Sequence, residues 1–196
     1  MKIIGGQLRG RNFYMPKHIR CTQNVVRKAV FDILGQDMEG KSFLDLFAGS
    51  GAMGFEAHSR GAKEVVFVEK DPICVRTIKE NINHLSLVSA QNTAQNLELI
   101  EEDSFFAVKE FSRKNRPFDI IYADPPYIQD LSKKALKTLG GYVIFQPNLV
   151  VIIQHDKREI LSDSQGKLCR YRQKTYGGTV LDFYRVVESE LDSKGL

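Results

Sequence analysis

Phe43-Leu44-Asp45-Leu46-Phe47-Ala48-Gly49-Ser50-Gly51-Ala52-Met53-Gly54 passes from an apolar run through a glycine turn into a helix-forming stretch. Gly49, Gly51 and Gly54 satisfy a G-x-G-x-x-G spacing, and Glu69 closes the next apolar run, Glu64 to Val68, about 20 residues further on. Glycines let a backbone approach a ligand closely, and the helix beyond the turn offers unpaired N–H groups. An acid at the end of the second strand is placed to accept from two ribose hydroxyls. Strand, turn, helix, strand and acid together predict an α/β fold with a nucleoside-containing ligand at the turn.

The flanking sequence continues the alternation. Upstream, Thr22 or Asn24 is a candidate cap for a helix with Val26, Ala29, Val30, Ile33 and Leu34 on one face, stopped by Gly35. Downstream, Asp71-Pro72 opens a helix, with an acceptor at the cap and proline in the first turn. Residues 86 to 96 read as a polar turn, Leu97 to Ile100 as a weak strand, and Ser104 to about Ser112 as a helix. Phe118 to Ala123 is a clear strand, Leu131 to Leu139 a helix ended by Gly140-Gly141, and Leu149 to Ile153 a strand covered on both faces. Leu168 to Tyr176, Gly177-Gly178 and Thr179 to Val187 form an antiparallel hairpin. The expected sheet is mostly parallel with an antiparallel ending.

The chain has 196 residues, 42% hydrophobic and 27% charged, which suits one well-filled domain and excludes a disordered or fibrous protein. No apolar run approaches the ~20 residues of a membrane span, and the first residues lack the apolar core of a signal peptide. Cys21, Cys74 and Cys169 are scattered, with no Cys-x-x-Cys pair, so neither a disulfide framework nor a zinc site is expected. His58, His84 and His155 likewise lack metal-ligand spacing. These features lead to the expectation of a cytoplasmic protein without membrane or metal.

The net charge of +4 is unevenly placed. Residues 1 to 31 carry Lys2, Arg9, Arg11, Lys17, Arg20, Arg27 and Lys28 and no acid, whereas the remainder is slightly acidic. A second basic stretch, Lys167, Arg170, Arg172 and Lys174, has no acid between Asp163 and Asp182. Charge runs are usually solvated surface; an acid-free arm interleaved with Gly5, Gly6 and Gly10 favours a polyanion, and among polyanions nucleic acid. The expected organisation is a basic arm over residues 1–31 leading into the first helix, an α/β domain over 32–187 and a polar tail over 188–196.

Two details distinguish the cofactor. The glycine spacing alone would also fit a nicotinamide dinucleotide and hence a dehydrogenase. Asp45, inside the first strand, could meet an ammonium group, which that cofactor lacks. Asp103, after the third strand, could accept from an adenine amino group, with Phe105 near the ring. These positions favour S-adenosylmethionine.

Asp124-Pro125-Pro126-Tyr127 follows the strand Phe118 to Ala123 directly. Two prolines fix φ and remove two N–H donors, so a carbonyl of Asp124 or Pro125 can point outward. A carboxylate and a carbonyl side by side can each accept one hydrogen of a planar NH₂. That pairing favours pyramidalisation of an exocyclic base amine and stabilises the charge that develops on it. Alignment of the two reactants is worth roughly 7–11 kcal/mol of barrier, and Tyr127 stacked on the base about 1–3 kcal/mol. A paired base cannot reach such a pocket, so the target is flipped out or unpaired.

In this order, Asp45 to Gly51, Glu69, Asp103 and Asp124 to Tyr127 resemble a class I methyltransferase acting on an exocyclic amine. The arm Ile3-Ile4-Gly5-Gly6-Gln7-Leu8-Arg9-Gly10-Arg11, with Arg20-x-Thr22 and Arg27-x-Ala29-Val30-Phe31, resembles the RsmD-type small-subunit (16S) rRNA guanine-N2 methyltransferases, as does Tyr176-Gly177-Gly178 to Phe183-Tyr184-Arg185. Cys21, Asn24, Val25, Lys28 and Gln154 depart from that pattern; at Gln154 the fifth strand often ends in an acid.

The resemblance implies a Rossmann-like, seven-stranded, mostly parallel sheet with an antiparallel last strand. It implies S-adenosylmethionine as donor and N2 of one guanine, G966 in the family's usual naming, as acceptor. Asp45, Phe47, Ala48, Gly49, Gly51, Glu69, Lys70, Asp103 and Ser104 are then the cofactor residues, and Asp124, Pro125 and Tyr127 the catalytic ones. Arg9, Arg11, Arg20, Thr22 and Arg27 are the RNA-binding residues. The implied partner is 16S rRNA or an assembling small subunit, met by a monomer. The alternatives are a DNA adenine-N6 methyltransferase, which lacks room here for a target-recognition domain, and a non-catalytic RNA-binding protein on the same scaffold.

Overall fold

The computed structural model describes residues 1–16, 23–86, 96–127 and 130–187. Arg20, Cys21 and Thr22, residues 87–95 of the stretch expected as a polar turn, and the expected tail 188–196 lie outside the described residues. The chain forms two compact units, Met1–Ala107 and Val108–Leu196.

In the first unit the elements are α1 (Asn24–Leu34), β1 (Ser42–Leu46), α2 (Ala52–Ser59), β2 (Glu64–Glu69), α3 (Pro72–Ser86) and β3 (Asn96–Glu101); α4 (Ser104–Arg113) begins here. The strands are parallel in the order β3-β2-β1, with Leu44 opposite Val66 and Val66 opposite Glu98. All five residues of β1 are buried, as for a strand covered on both faces. Between β1 and β2, α2 lies so close that a Cβ on Gly54 would fall 2.2 Å from the Phe67 ring, and Gly51 holds φ at 76°. The glycines of the turn therefore serve close helix–strand packing as well as backbone conformation.

Helix starts follow their chemistry. Asp71 Oδ1 accepts from the N–H groups of Ile73 (3.0 Å) and Cys74 (2.9 Å), the cap expected for α3. The start of α1 differs from expectation. Gln23 is its N-cap without a side-chain bond, and Asn24 is the first helical residue; its Oδ1 accepts from Arg27 Nη2 at 2.7 Å.

The amino-terminal segment is a docked hairpin. Lys2 and Asn12 form an antiparallel bridge, and Ile3, Leu8 and Phe13 are buried. Its backbone bonds to α2: Ile4 N–H donates to Glu56 Oε2 (3.0 Å) and Leu8 N–H to Ser59 Oγ (2.9 Å).

In the second unit, β4 (Phe118–Ala123), α5 (Leu131–Gly141), β5 (Phe145–Asp156), β6 (Ser164–Gln165), β7 (Leu168–Tyr176) and β8 (Thr179–Val186) follow in sequence. The strand order is β4-β5-β8-β7-β6; β4 and β5 are parallel, and β8 runs antiparallel to both β5 and β7. The described residues thus hold eight strands rather than seven. The addition is β6, whose two residues carry no hydrophobic periodicity. Strand β5 begins at Phe145, earlier than its apolar run, because its first half is only partly covered. The glycines expected to end α5 are its last two residues, and Gly140 meets the β6 turn backbone to backbone: a Cβ on Gly140 would lie 2.3 Å from Gln165 O, and one on Gly166 2.0 Å from Gly140 O.

A buried polar cluster braces the hairpin. Asp182, fully buried, accepts from His155 Nε2 (3.1 Å), Arg170 Nη1 (2.9 Å) and Gln173 Nε2 (2.7 Å). Burial pushes its carboxyl up, but these hydrogen bonds and the Arg170 charge outweigh burial and hold it below the usual carboxylate range. A depressed folded-state value means stability that is full above the unfolded value of about 3.9 and is lost as pH falls through the folded one. Asp182→Asn is expected to cost roughly 1.5–3 kcal/mol at neutral pH. Below about pH 4 the variant should lose less further stability than the wild type, as read by urea unfolding across that range.

Candidate active site

At the glycine turn the structure brings together most of the residues expected to bind the cofactor, and it gives their carboxylates backbone partners. Glu69, at the end of β2, accepts from Gly49 N–H through Oε2 (2.7 Å) and from the N–H groups of Lys70 and Asp71 through Oε1 (both 2.8 Å). A carboxylate offers about four acceptor positions, so three are engaged and one remains, where two ribose contacts were expected. Phe47 takes a positive φ of 60°, and Ala48 N–H donates to Val68 O at 3.0 Å, fixing the turn against β2.

Asp45 is 2% exposed, and its Oδ2 accepts from Gly54 N–H in the first turn of α2 (2.9 Å). Its carboxylate thus also ties β1 to the start of α2. Asp103 caps α4: Oδ1 accepts from Phe105 N–H at 3.0 Å, and Oδ2 pairs with Lys70 Nζ at 3.0 Å. Burial raises its carboxyl, while the Lys70 and backbone hydrogen bonds lower it further, so the net shift is downward and the group is an acceptor. Ser104 is buried in the first turn of α4. The rings of Phe47 and Phe105 meet edge to face, 5.5 Å apart and half-buried.

The tetrapeptide lies in the second unit, at the end of β4. Asp124 is half-buried, Pro125 buried, and Tyr127 36% exposed. In the parallel register Ala123 stands opposite Ile153, which sets Gln154 beside Asp124. Gln154 is 6% exposed and uses its whole amide: Nε2 donates to Asp124 Oδ2 (2.9 Å) and to Tyr127 Oη (3.1 Å), while Oε1 accepts from Tyr122 Oη (2.6 Å). A carboxylate accepts only, so Asp124 fixes which end of the amide faces it. Tyr127 Oη also lies 3.4 Å from Thr179 Oγ1. The result is a carboxylate and an aromatic ring locked together by one side chain. The sequence contained a signal for it, since Gln154 follows the apolar run of β5 as Asp124 follows β4.

Of the expected RNA-binding residues, Arg9 and Arg11 are exposed and Arg20 and Thr22 lie outside the described residues. Arg27 is fully buried; its Nη2 donates to Lys2 O (2.8 Å), and its guanidinium packs on the Phe13 ring. It fastens the hairpin to α1 and presents no surface to a nucleic acid, a correction forced by burial. Among the described residues no group of three or more His, Cys, Asp or Glu could hold a metal ion, and no helix is long and apolar enough to cross a membrane.

Acids and rings at the carboxyl ends of parallel strands, on this element order, define the Rossmann-like architecture of class I methyltransferases. Residues 1–185 match the family model described as Conserved hypothetical protein 95, and the chain belongs to that family, the one to which its RsmD-type resemblance points. It is similar to Ribosomal RNA small subunit methyltransferase D of Buchnera aphidicola subsp. Acyrthosiphon pisum, 33% identical over 159 residues that make up 80% of this chain and 78% of that protein. The protein of the same name from Haemophilus influenzae is 32% identical over 160 residues, 80% of this chain and 79% of its own. Among solved structures, a hypothetical protein from Thermus thermophilus superposes with a TM-score of 0.79 at 29% identity, covering 95% of this chain and 99% of that one.

Glu69 holds the turn through three backbone N–H groups, and Glu69→Gln sets an amide against those donors. The variant is expected to lose roughly 1–3 kcal/mol of ligand-free stability, read by chemical denaturation.

Proposed function

We propose that this chain transfers the methyl group of S-adenosylmethionine to N2 of an unpaired guanine in small-subunit rRNA. The observation that carries the reading is the Gln154 amide binding Asp124 and Tyr127 at once, which turns the tetrapeptide into a rigid receptor for a base bearing an NH₂ group. The curated relatives named as small-subunit rRNA methyltransferases supply the RNA class.

The glycine-turn residues suit the donor. Asp103 is an acceptor for an adenine amine, with its second partner Lys70 exposed and free to swing away; Phe105 and Phe47 offer ring surface, and Glu69 has one acceptor position left for a ribose hydroxyl. When bound, the donor supplies a methyl group on a sulfonium, already activated for displacement.

The residues of the chain then do the rest. Asp124 accepts one hydrogen of the guanine amine, and a proline-locked carbonyl of Asp124 or Pro125 accepts the other, which localises the nitrogen lone pair. Tyr127, its hydroxyl tethered by Gln154, holds the base face. As the amine took up the methyl group, positive charge would grow on its nitrogen beside the Asp124 carboxylate, which would take the departing proton and return it to water.

Purified protein incubated with small-subunit RNA and S-adenosylmethionine should yield N2-methylguanosine in the nucleoside digest by mass spectrometry. Methyl on adenine N6, or on no base at all, would overturn the reading. Asp124→Ala is expected to abolish transfer while the rise in melting temperature on adding donor stays near that of the wild type.

A further inference from the structure

The second basic stretch of the sequence finds no use in the chemistry above, and its placement is specific. Arg170 is half-buried, and its charge is already paired with Asp182 and Asp163. The residues after it have no such partners among the ion pairs of the described residues. Tyr171, Arg172 and Lys174 are exposed, and so is Arg185 on the adjacent β8. Arg170 stands opposite Tyr184 and Arg172 opposite Phe183, so Tyr171 is an extra residue in a β-bulge. The Tyr171 ring lies 6.2 Å from that of Phe183, with the Arg185 guanidinium 5.8 Å from its centroid. Tyr171 therefore shares a sheet face with Arg172, paired to Phe183, and with Lys174, paired to Leu181.

The same register ties this face to the candidate site. Leu181 is paired with both Lys174 and Gln154, and Thr179, opposite Tyr176, brings its hydroxyl to within 3.4 Å of Tyr127 Oη. From Tyr176 the strand runs back five residues to Tyr171, at most about 16 Å at about 3.3 Å per residue. A charged outer strand by itself only discourages edge pairing. A bulge that brings an aromatic ring out beside three cations does more: it offers a base-stacking surface within a line of phosphate partners.

We infer that the Tyr171, Arg172, Lys174 and Arg185 face of β7 and β8 binds a single-stranded RNA segment adjoining the base held at Asp124 and Tyr127. Phosphates sit on Arg172, Lys174 and Arg185, and one base stacks on Tyr171. The inference rests on the RNA reading of the preceding section.

Full-length wild type, Arg172→Gln/Lys174→Gln and Tyr171→Ala are titrated with a fluorescently labelled single-stranded oligoribonucleotide at several salt concentrations. The double variant should flatten the slope of log K against log salt by about 0.7 for each phosphate it no longer neutralises. Tyr171→Ala should weaken binding roughly five- to hundredfold with little change in slope. In both, the donor-induced rise in melting temperature should match wild type, which reports an intact fold. An unchanged slope in the double variant together with unchanged affinity in Tyr171→Ala overturns the inference. So does wild-type binding to naked RNA with loss of binding only to a protein-bearing ribosomal particle, which would assign the face to a protein. Failure of the wild type to methylate small-subunit RNA overturns the earlier reading instead, and the two failures are thus separable.

Discussion

A turn or a helix start leaves backbone N–H groups without partners, and in the first unit carboxylates meet that demand one after another. Asp45 takes Gly54, Glu69 takes Gly49, Lys70 and Asp71, Asp71 takes Ile73 and Cys74, and Asp103 takes Phe105 and Phe106. Every acid that reads as a cofactor ligand is therefore also a structural acceptor. A negative charge at each of these N–H clusters is favourable before any ligand arrives. The turn is held in one conformation by the side chains that would also meet the donor, so binding need not first order it.

This double duty explains what the sequence disclosed and what it withheld. Strand β1 and strand β4 have the bounds their sequences suggest, because the apolar side chains that mark them, Phe43, Leu44 and Leu46 in β1 and Phe118, Ile120, Ile121 and Tyr122 in β4, are all buried. The Asp71-Pro72 start of α3 is legible for a local reason: cap and proline act within one turn. Arg27 was not legible, since a cation on a helix reads as surface until Phe13 and Lys2, far away in sequence, are seen to cover it. The start of α1 and the two-residue β6 also depend on tertiary partners and carry no periodic pattern.

The tetrapeptide was visible as a motif, but its rigidity was not. Proline stiffens the backbone of Asp124 to Tyr127, yet the carboxylate and the ring turn on their own χ angles. What fixes both is a neutral amide contributed by the neighbouring strand, oriented in turn by Tyr122. Both N–H groups and the carbonyl of the Gln154 amide are used, which makes a buried polar group specific rather than costly.

The contact between Gly140 and Gly166 bears on how this sequence can drift. Carbonyl and α-carbon meet there with no side chain between them, so neither position can accept even a methyl group without moving a helix end or a strand turn. Repacking elsewhere in the hairpin can proceed by small compensating swaps. These two positions admit no such intermediate and constrain one another through bare backbone.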